Sequence, residues 1–313
     1  MRRALIVGID DYSWAPLKGC VNDANAMYEL LDRNEDGRPN FDCKLVTHEV
    51  TRTYLRKQIH ELFSNQADIA LLYFSGHGAH TPYGGYLMTE DAFRFDEGVS
   101  MNDVLILANQ SKVSEVIIIL DCCYSGNLGN TFSDENMALL REGITIITSS
   151  SDYQVSKERN GRGVFTKMIT EALEGEAADL LGNVTLAGLY GYSDKSLDSW
   201  QQRPVFKSHI TSMLPIRQCH PKLKLDILRR LPKYFETADA EHPLDPCYEP
   251  DSDCPKPDPD KQAIFAELQK CVSKGLVTPV GEAHMFFAAI HSKSCRLTRL
   301  GQYYWKLAKK HLI

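Results

Sequence analysis

Short apolar runs alternate with amphipathic stretches through the first two-thirds of the chain. The apolar runs predict strands over residues 4–9, 45–50, 69–75, 116–120, 144–149 and 205–210. Between them, apolar residues recur at helical spacing in residues 22–32, 54–65 and 165–173. The run 116–120 is apolar at every position, which is typical of a central parallel strand covered by helices. This alternation predicts an α/β fold, a three-layer sandwich with a mostly parallel six-stranded sheet.

The pattern changes after about residue 216. Residues 236–260 contain nine acidic side chains, and six prolines lie between 243 and 259, which predicts an extended, solvated linker. Further on, the pattern predicts a helix over 260–277, a strand over 285–292 and a closing helix over 297–310. We therefore expect a domain of residues 1–215, a connecting segment of residues 216–260, and a small winged-helix-like α+β module of residues 261–313.

Composition and charge narrow the class of protein. The net charge of −6 over 313 residues gives no sign of nucleic-acid binding by the chain as a whole. The apolar run 4–9 is too short for a signal peptide or a membrane span. Nine cysteines, an odd number without an export signal, indicate free thiols in a reducing compartment. The expected location is cytoplasmic, with no membrane association.

Two of the apolar runs end in reactive side chains framed by small residues. His77 lies in "SGHG" after residues 69–75, and Cys123 lies in "DCCYSG" after residues 116–120. Parallel strands bring both ends to one edge of the sheet. A cysteine is nucleophilic as its thiolate, and a nearby histidine can take its proton. The backbone N–H groups of Gly78 and Cys123 could bind the oxyanion that forms on the attacked carbonyl.

The segments "YFSGHG", "LDCCYSG" and "LKGCVNDANAM" together resemble the caspase-like cysteine peptidases of clan CD, peptidase family C14. The resemblance covers about residues 1–212 and is closest to the metacaspase and bacterial caspase-homologue branch. It implies a Cys/His dyad, with His77 as base or acid and Cys123 as nucleophile. The amides of Gly78 and Cys123 would form the oxyanion hole. The residues that would line the primary specificity pocket are Cys20, Asp23, Ser75 and Asp121.

The acidic pocket departs from animal caspases, which place Gln-Ala-Cys at the nucleophile and bind an acidic substrate residue with arginines. Two carboxylates attract a guanidinium or an ammonium and repel a carboxylate. We therefore expect cleavage after a basic P1 residue, Arg or Lys, with Arg preferred for its planar fork. A second departure is that residues 127–143 leave little room for a loop that is cut during maturation.

Each site residue also has a structural interpretation. Cys122 can be a buried neighbour of the nucleophile, or it can itself be the nucleophile. Asp121 can cap the following turn, Asp23 can cap the helix that it opens, and Ser75 can simply pack. The claim of Cys20 to the pocket is weaker than that of the two aspartates.

No cofactor or metal is required by this chemistry. His77, His80 and the cysteines lack the paired spacing of zinc ligands. The acidic segments 34–42 and 89–98 lack the spacing of an EF-hand, so Ca2+ is only weakly supported. We find no phosphate-binding loop and no dinucleotide fingerprint.

The sequence thus favours a cysteine endopeptidase acting on a protein or peptide, with a C-terminal module that binds a regulatory partner protein. The alternative is a non-proteolytic caspase-like adaptor whose module binds a partner protein or DNA. Residues 291–313 contain six Lys or Arg and no Asp or Glu. With no element that could read bases, they indicate a solvated face or protein docking more than nucleic acid.

Overall fold

The computed structural model describes residues 1–64, 66–94, 96–128, 130–131, 134–149, 158–159, 161–196 and 203–313. The chain divides into two units, residues 1–220 and 221–313. None of the helices in these ranges is both long enough and apolar enough to cross a bilayer.

The first unit contains most of the strands. In chain order they are β1 (Arg2–Gly8), β2 (Asp42–Val46), β3 (Ile69–Ser75), β4 (Gly78–Thr81), β5 (Gly84–Phe93), β6 (Asp96–Ser100), β7 (Glu115–Asp121), β8 (Asn130–Thr131), β9 (Asp134–Ala138), β10 (Ile144–Thr148), β11 (Glu158–Arg159), β12 (Arg162–Gly163), β13 (Asn183–Thr185), β14 (Val205–His209) and β15 (Pro215–Gln218). Its α-helices are α1 (Cys20–Asp32), α2 (Arg52–Ser64), α3 (Met101–Gln110), α4 (Val164–Glu171) and α5 (Leu186–Lys195). A 3-10 turn spans Ser125–Asn127, and a π-helical turn, Ala172–Glu176, follows α4.

Six strands form the central sheet, in the order β14-β10-β7-β3-β1-β2. All neighbours are parallel except β14, which pairs antiparallel with β10. The predicted mostly parallel six-stranded sheet is confirmed. Strand β2 lies three to four residues earlier than predicted, because an edge strand is only half buried and its polar residues, such as Asp42 and Lys44, can face water.

Helices cover both faces of this sheet. Strand β3 is buried at all seven positions, and alternate residues contribute to opposite cores. Leu72 and Phe74 pack on one side with residues of α2 and α3. Leu71 and Tyr73 pack on the other side with residues of α1, α4 and α5. The result is the expected three-layer sandwich, with its helices on both sides of the carboxyl edge of β3 and β7.

The sequence pattern missed a second, smaller sheet. Strands β4, β5 and β6 form an antiparallel sheet that follows His77 directly in the chain. Its segments hold several glycines and charged residues and are only partly buried, so they lack a strong apolar alternation. Of the short segment 127–143, the structure describes β8 and β9, which pair antiparallel. Residues 129, 132 and 133 of that segment lie outside the described residues.

The second unit contains α6 (Leu225–Tyr234), β16 (Glu241–Pro243), α7 (Pro259–Ser273), β17 (Val277–Val280), α8 (Met285–Ile290), β18 (Ser294–Leu297) and α9 (Arg299–Lys309). Its strands form an antiparallel sheet in the order β16-β18-β17. The predicted helices over 260–277 and 297–310 correspond to α7 and α9. The winged-helix-like character of this region stays a prediction.

Two expectations for this part of the chain are wrong. The linker predicted over residues 236–260 is not extended throughout, since it contains a 3-10 turn, Pro246–Tyr248, in which Tyr248 is buried. Helix α6 lies before this segment and was not predicted; its buried Ile227, Leu228 and Leu231 follow a helical spacing and form an apolar face. Residues 285–290 are helical instead of extended, because burial at Met285, Ala288 and Ala289 follows a helical spacing.

The cysteines also differ from expectation. Cys247 and Cys254 are joined in a disulfide, so the prediction of free thiols is wrong for this pair. Seven cysteines are free, as predicted: Cys20, Cys43, Cys122, Cys123, Cys219, Cys271 and Cys295.

Candidate active site

The loops that follow β3 and β7 lie side by side at the carboxyl edge of the central sheet. The two strands are in register, with Ser75 opposite Asp121 at their ends. His77 and Cys123 each lie two residues beyond this last pair. The Gly76 N–H donates to the Asp121 carbonyl at 3.4 Å, which extends the strand pairing into the loops.

Gly78 shows how closely these loops approach each other. A Cβ at this position would lie 2.1 Å from the Cys123 carbonyl oxygen and 3.3 Å from the Cys122 Sγ. Any side chain larger than hydrogen would force the two loops apart. The structure therefore brings the residue after His77 into contact with the backbone of Cys123, and both His77 and Cys123 are half-buried.

The imidazole of His77 is held by the loop that follows β1. Its Nε2 lies 2.8 Å from the carbonyl oxygen of Ala15. A carbonyl can only accept, so Nε2 donates in this contact, and Nδ1 is the ring nitrogen that this contact leaves unused. The rings of Tyr12 and Trp14 lie against the imidazole, with centroid distances of 4.6 and 4.8 Å.

Tyr12 also fixes the backbone of the histidine loop. Its hydroxyl accepts the N–H of His77 at 3.0 Å and donates to the Met88 carbonyl at 3.1 Å. The Met88 N–H in turn donates to the His77 carbonyl at 3.0 Å. Burial raises the pKa of Tyr12 well above its usual value, so the hydroxyl keeps the proton that it donates.

The cysteine loop turns sharply after the strand. Tyr124 has a left-handed backbone conformation, with φ of 60°. Ser125, which is buried, donates its hydroxyl to the Cys122 carbonyl at 2.8 Å. Burial raises the pKa of the Cys122 thiol well above its usual value, and Asp121 and Cys123 raise it further. Cys122 is therefore a protonated, buried thiol, whereas Cys123 reaches the surface of the site.

Lys207 of β14 also hydrogen-bonds to the cysteine loop. Its Nζ donates to the carbonyl oxygens of Gly126 and Leu128, at 2.6 and 2.9 Å. These carbonyls lie at the end of the 3-10 turn that follows the cysteines, where backbone acceptors lack partners within the turn. The ammonium group thus fixes the path of the chain just after Cys123.

Asp23 and Asp121 converge beside Gly163. Their Oδ2 atoms lie 2.9 and 2.4 Å from the point where a Cβ of residue 163 would be. Asp23 accepts the N–H of Gly163 at 2.9 Å, and Asp121 accepts the hydroxyl of Thr166 at 2.7 Å. Both carboxylates are almost fully buried, with 1% and 5% of their surface exposed. The site therefore has two buried acidic side chains next to the cysteine loop.

Comparisons with known proteins identify the family of this chain. The family model of the caspase domain matches residues 1–224. This chain belongs to the caspase family of peptidases. The resemblance to the caspase-like cysteine peptidases of clan CD and their metacaspase branch is thereby confirmed.

Individual relatives of this caspase-family chain are distant. Metacaspase-4 of Arabidopsis thaliana is 27% identical over 191 residues, which are 56% of this chain and 44% of the relative. The chain thus spans less than half the length of that curated relative. The crystal structure of protein GSU0716 from Geobacter sulfurreducens matches with a TM-score of 0.51 and 18% identity, over 70% of this chain and 99% of that one. Caspase-1 from Spodoptera frugiperda has a TM-score of 0.48, 15% identity, and coverage of 69% and 90%.

The remaining predicted pocket residues of the caspase domain lie at the same edge. Ser75 is buried at the end of β3, and Cys20 is buried at the start of α1. Both aspartates affect Tyr73. Burial raises the pKa of Tyr73 well above its usual value, and Asp121 and Asp23 raise it further. Burial is the main cause of the raised pKa of Tyr12, and Cys20 raises it further.

The acidic segments considered for Ca2+ have protein partners. Asp36 pairs with Arg38, which lowers its pKa, and Asp96 pairs with Arg52. Asp91 accepts the N–H of Arg52 at 2.9 Å. Within the described ranges, no three His, Cys, Asp or Glu side chains are grouped as metal ligands would be.

The loop between β1 and α1 contributes to the site although its sequence did not predict this. Tyr12, Trp14 and Ala15 all contact His77, although they lie more than 60 residues before it. A signal was available, because β1 is parallel to β3 and its carboxyl end reaches the same edge. Asp10 organises this loop by accepting the N–H groups of Cys20 and Val21 at 2.9 and 3.3 Å.

Proposed function

We propose that this caspase-domain protein is a cysteine endopeptidase in which Cys123 is the nucleophile and His77 the general base and acid. The close approach of Gly78 to the Cys123 backbone is the observation that supports this most directly. It places the histidine loop, after β3, in contact with the cysteine loop, after β7. Cys122 is set aside as nucleophile, because its thiol is buried and kept protonated.

The proposed reaction uses the tautomer that the Ala15 carbonyl selects. With Nε2–H held by Ala15, Nδ1 takes the proton of the Cys123 thiol. The thiolate attacks the carbonyl carbon of the scissile bond, and the N–H groups of Gly78 and Cys123 bind the resulting oxyanion. The imidazolium then protonates the leaving amine, and the C–N bond breaks to give a thioester. His77 next takes a proton from water, which attacks the thioester and releases the acid and the Cys123 thiol.

We further propose that the substrate residue before the scissile bond is Arg, or less favourably Lys. Asp23 and Asp121 supply two acidic side chains whose Oδ2 atoms converge beside Gly163, and carboxylates attract a cationic side chain. A guanidinium can donate to both acids at once, whereas an ammonium is a point charge. An acidic residue at this position would be repelled. Ser75 and Cys20 would complete the wall of the pocket.

The test is hydrolysis of fluorogenic peptides that end in Arg, Lys or Asp before the reporter. We expect the wild type to cleave the Arg peptide fastest and the Asp peptide not at all. Cys123→Ala should abolish turnover, and Cys122→Ala is the matched control that should keep it. Asp121→Asn should raise KM and lower kcat/KM for the Arg peptide. Turnover that survives Cys123→Ala, or a preference for Asp, would contradict the proposal.

The remaining proposals follow from the same chemistry. A thiolate and an imidazole need no metal, so we expect turnover of the Arg peptide in excess EGTA, and a strict need for Ca2+ would contradict this. Peptides and proteins are the proposed substrates, and a regulatory protein is the proposed partner of the second unit. The cytoplasm is the proposed location, because seven free thiols suit a reducing compartment. The Cys247–Cys254 disulfide is unusual for such a compartment.

A further inference from the structure

The indole of Trp14 lies on the imidazole of His77 and also faces solvent. Its ring centroid is 4.8 Å from that of His77, with an angle of 31° between the ring planes. Half of its surface is exposed. The proposed reaction assigns no part to this ring. A large aromatic side chain that covers the base and stays open to solvent is well placed to contact substrate.

The loop that carries Trp14 is held at several points, so the position of the indole is defined. On one side, buried Tyr12 hydrogen-bonds to the backbone of both His77 and Met88. On the other side, the Ala15 carbonyl accepts the imidazole N–H. The carbonyl of Asp10 accepts the N–H groups of Tyr12 and Leu17, each at 3.0 Å, which closes the loop.

The proposed reaction defines which part of the substrate meets this ring. The acidic pocket takes the side chain before the scissile bond. The imidazole protonates the leaving amine, so it faces the residue after that bond. The side chain of that residue leaves the backbone one atom beyond the protonated nitrogen, within reach of a ring that lies tilted against the imidazole.

We propose, on the basis of the proposed peptidase function, that Trp14 forms the wall of the S1′ subsite, which binds the residue after the scissile bond. The exposed indole face selects a large apolar or aromatic side chain there. A small residue would leave the face in water. An acidic residue would gain little there, because the face of an aromatic ring carries the negative end of its quadrupole. The enzyme would then prefer sequences with a basic residue followed by a large apolar one.

The experiment uses internally quenched peptides with Arg fixed before the scissile bond and Phe, Leu, Gly, Asp or Lys after it. The values of kcat/KM are measured for the full chain and for its Trp14→Ala and Trp14→Phe variants. We expect the wild type to prefer Phe and Leu over Gly by about three- to tenfold, the size of an aromatic contact. Trp14→Ala should remove this preference, and Trp14→Phe should keep most of it.

The matched control is Phe93→Ala, which removes an exposed aromatic side chain at the far end of β5. It should leave the ratio of Phe to Gly cleavage unchanged. A wild type with equal rates across the panel, a preference for Lys or Asp, or a preference that survives Trp14→Ala would overturn the inference. Failure to cleave any peptide of the panel, or cleavage that survives Cys123→Ala, would instead refute the peptidase function itself.

Discussion

The hydroxyl of Tyr12 accepts the backbone N–H of His77 at 3.0 Å, across 65 residues of sequence. Because the same hydroxyl donates to the Met88 carbonyl, it ties the loop after β3 both to the loop after β1 and to the small sheet. The three segments that surround the imidazole are thereby joined at one oxygen atom.

Replacing Tyr12 by Phe tests this link. Tyr12→Phe keeps the ring against His77 but leaves the His77 N–H and the Met88 carbonyl without this partner. We expect the stability to unfolding to fall by about 1–2 kcal/mol, the cost of a partly buried unsatisfied pair. We also expect kcat for the Arg peptide to fall roughly tenfold, because the imidazole is less well placed. Urea unfolding and steady-state kinetics measure these two effects.

The control for Tyr12→Phe is Tyr54→Phe, at an exposed tyrosine of α2. It should change neither the stability nor kcat. A Tyr12→Phe variant with wild-type kcat would show that the hydroxyl does not position His77.

Gly78→Ala tests the contact between the two loops. A Cβ at 2.1 Å from the Cys123 carbonyl must push the cysteine loop away from the imidazole. We expect kcat/KM for the Arg peptide to fall by at least about 100-fold, as for other misplacements of this size. The control is Gly191→Ala in α5, where a Cβ would meet nothing within 4 Å. Full activity of Gly78→Ala would mean that the loops are further apart than described.

Lys207→Met tests support of the cysteine loop from β14. The substitution keeps the length of the side chain but removes the donor to the carbonyl oxygens of Gly126 and Leu128. We expect kcat/KM to fall roughly tenfold through looser placement of Cys123, and alkylation of Cys123 by iodoacetamide to slow in parallel. Lys167→Met on α4, where the ammonium is exposed, is the control. Unchanged alkylation would assign Lys207 a role in stability alone.

The framework of the site could be predicted from sequence, and its supports could not. Strands β3 and β7 are buried at nearly every position, so their apolar runs identify them without knowledge of the fold. Their parallel arrangement then places His77 and Cys123 at one edge. Strand β1 likewise places the start of the loop with Tyr12 and Trp14 at this edge. Which side chains of that loop meet His77 depends on its irregular path, and loops carry no periodicity.

In the second unit, a prediction based on composition was wrong. The acidic and proline-rich character of residues 236–260 predicts a linker, yet Tyr248 and Glu249 are buried there. Buried side chains such as Tyr248, which lies against Phe265 of α7, hold the segment in place. The free energy gained by burying them offsets the conformational entropy lost when the segment is ordered. The apolar run at residues 285–290, which includes Phe286 and Phe287, predicted a strand. The two phenylalanines are exposed, and the buried positions follow a helical spacing.

His242 gives the second unit a stability that depends on pH. Its Nδ1–H donates to the Tyr234 carbonyl at 2.9 Å, and its Nε2 accepts the Tyr248 hydroxyl at 3.0 Å. Burial lowers the pKa of His242 below its ordinary value of 6.5. A lowered pKa means that the folded state prefers the neutral ring. The contribution of His242 to stability is therefore fully present above pH 6.5 and is lost as the pH falls below that value toward the folded pKa.

Urea unfolding of the full chain between pH 8 and pH 5 checks this expectation, with the fluorescence of the tryptophans as the signal. His242→Gln cannot titrate, so the variant should lose part of the decrease in stability that the wild type shows below pH 6.5. The control is His284→Gln, at an exposed histidine of the same unit. If the wild type and His242→Gln lose stability in parallel as the pH falls, the titrating group is not His242. The hydrogen bonds of His242 to Tyr234 and Tyr248 would then not depend on the neutral imidazole.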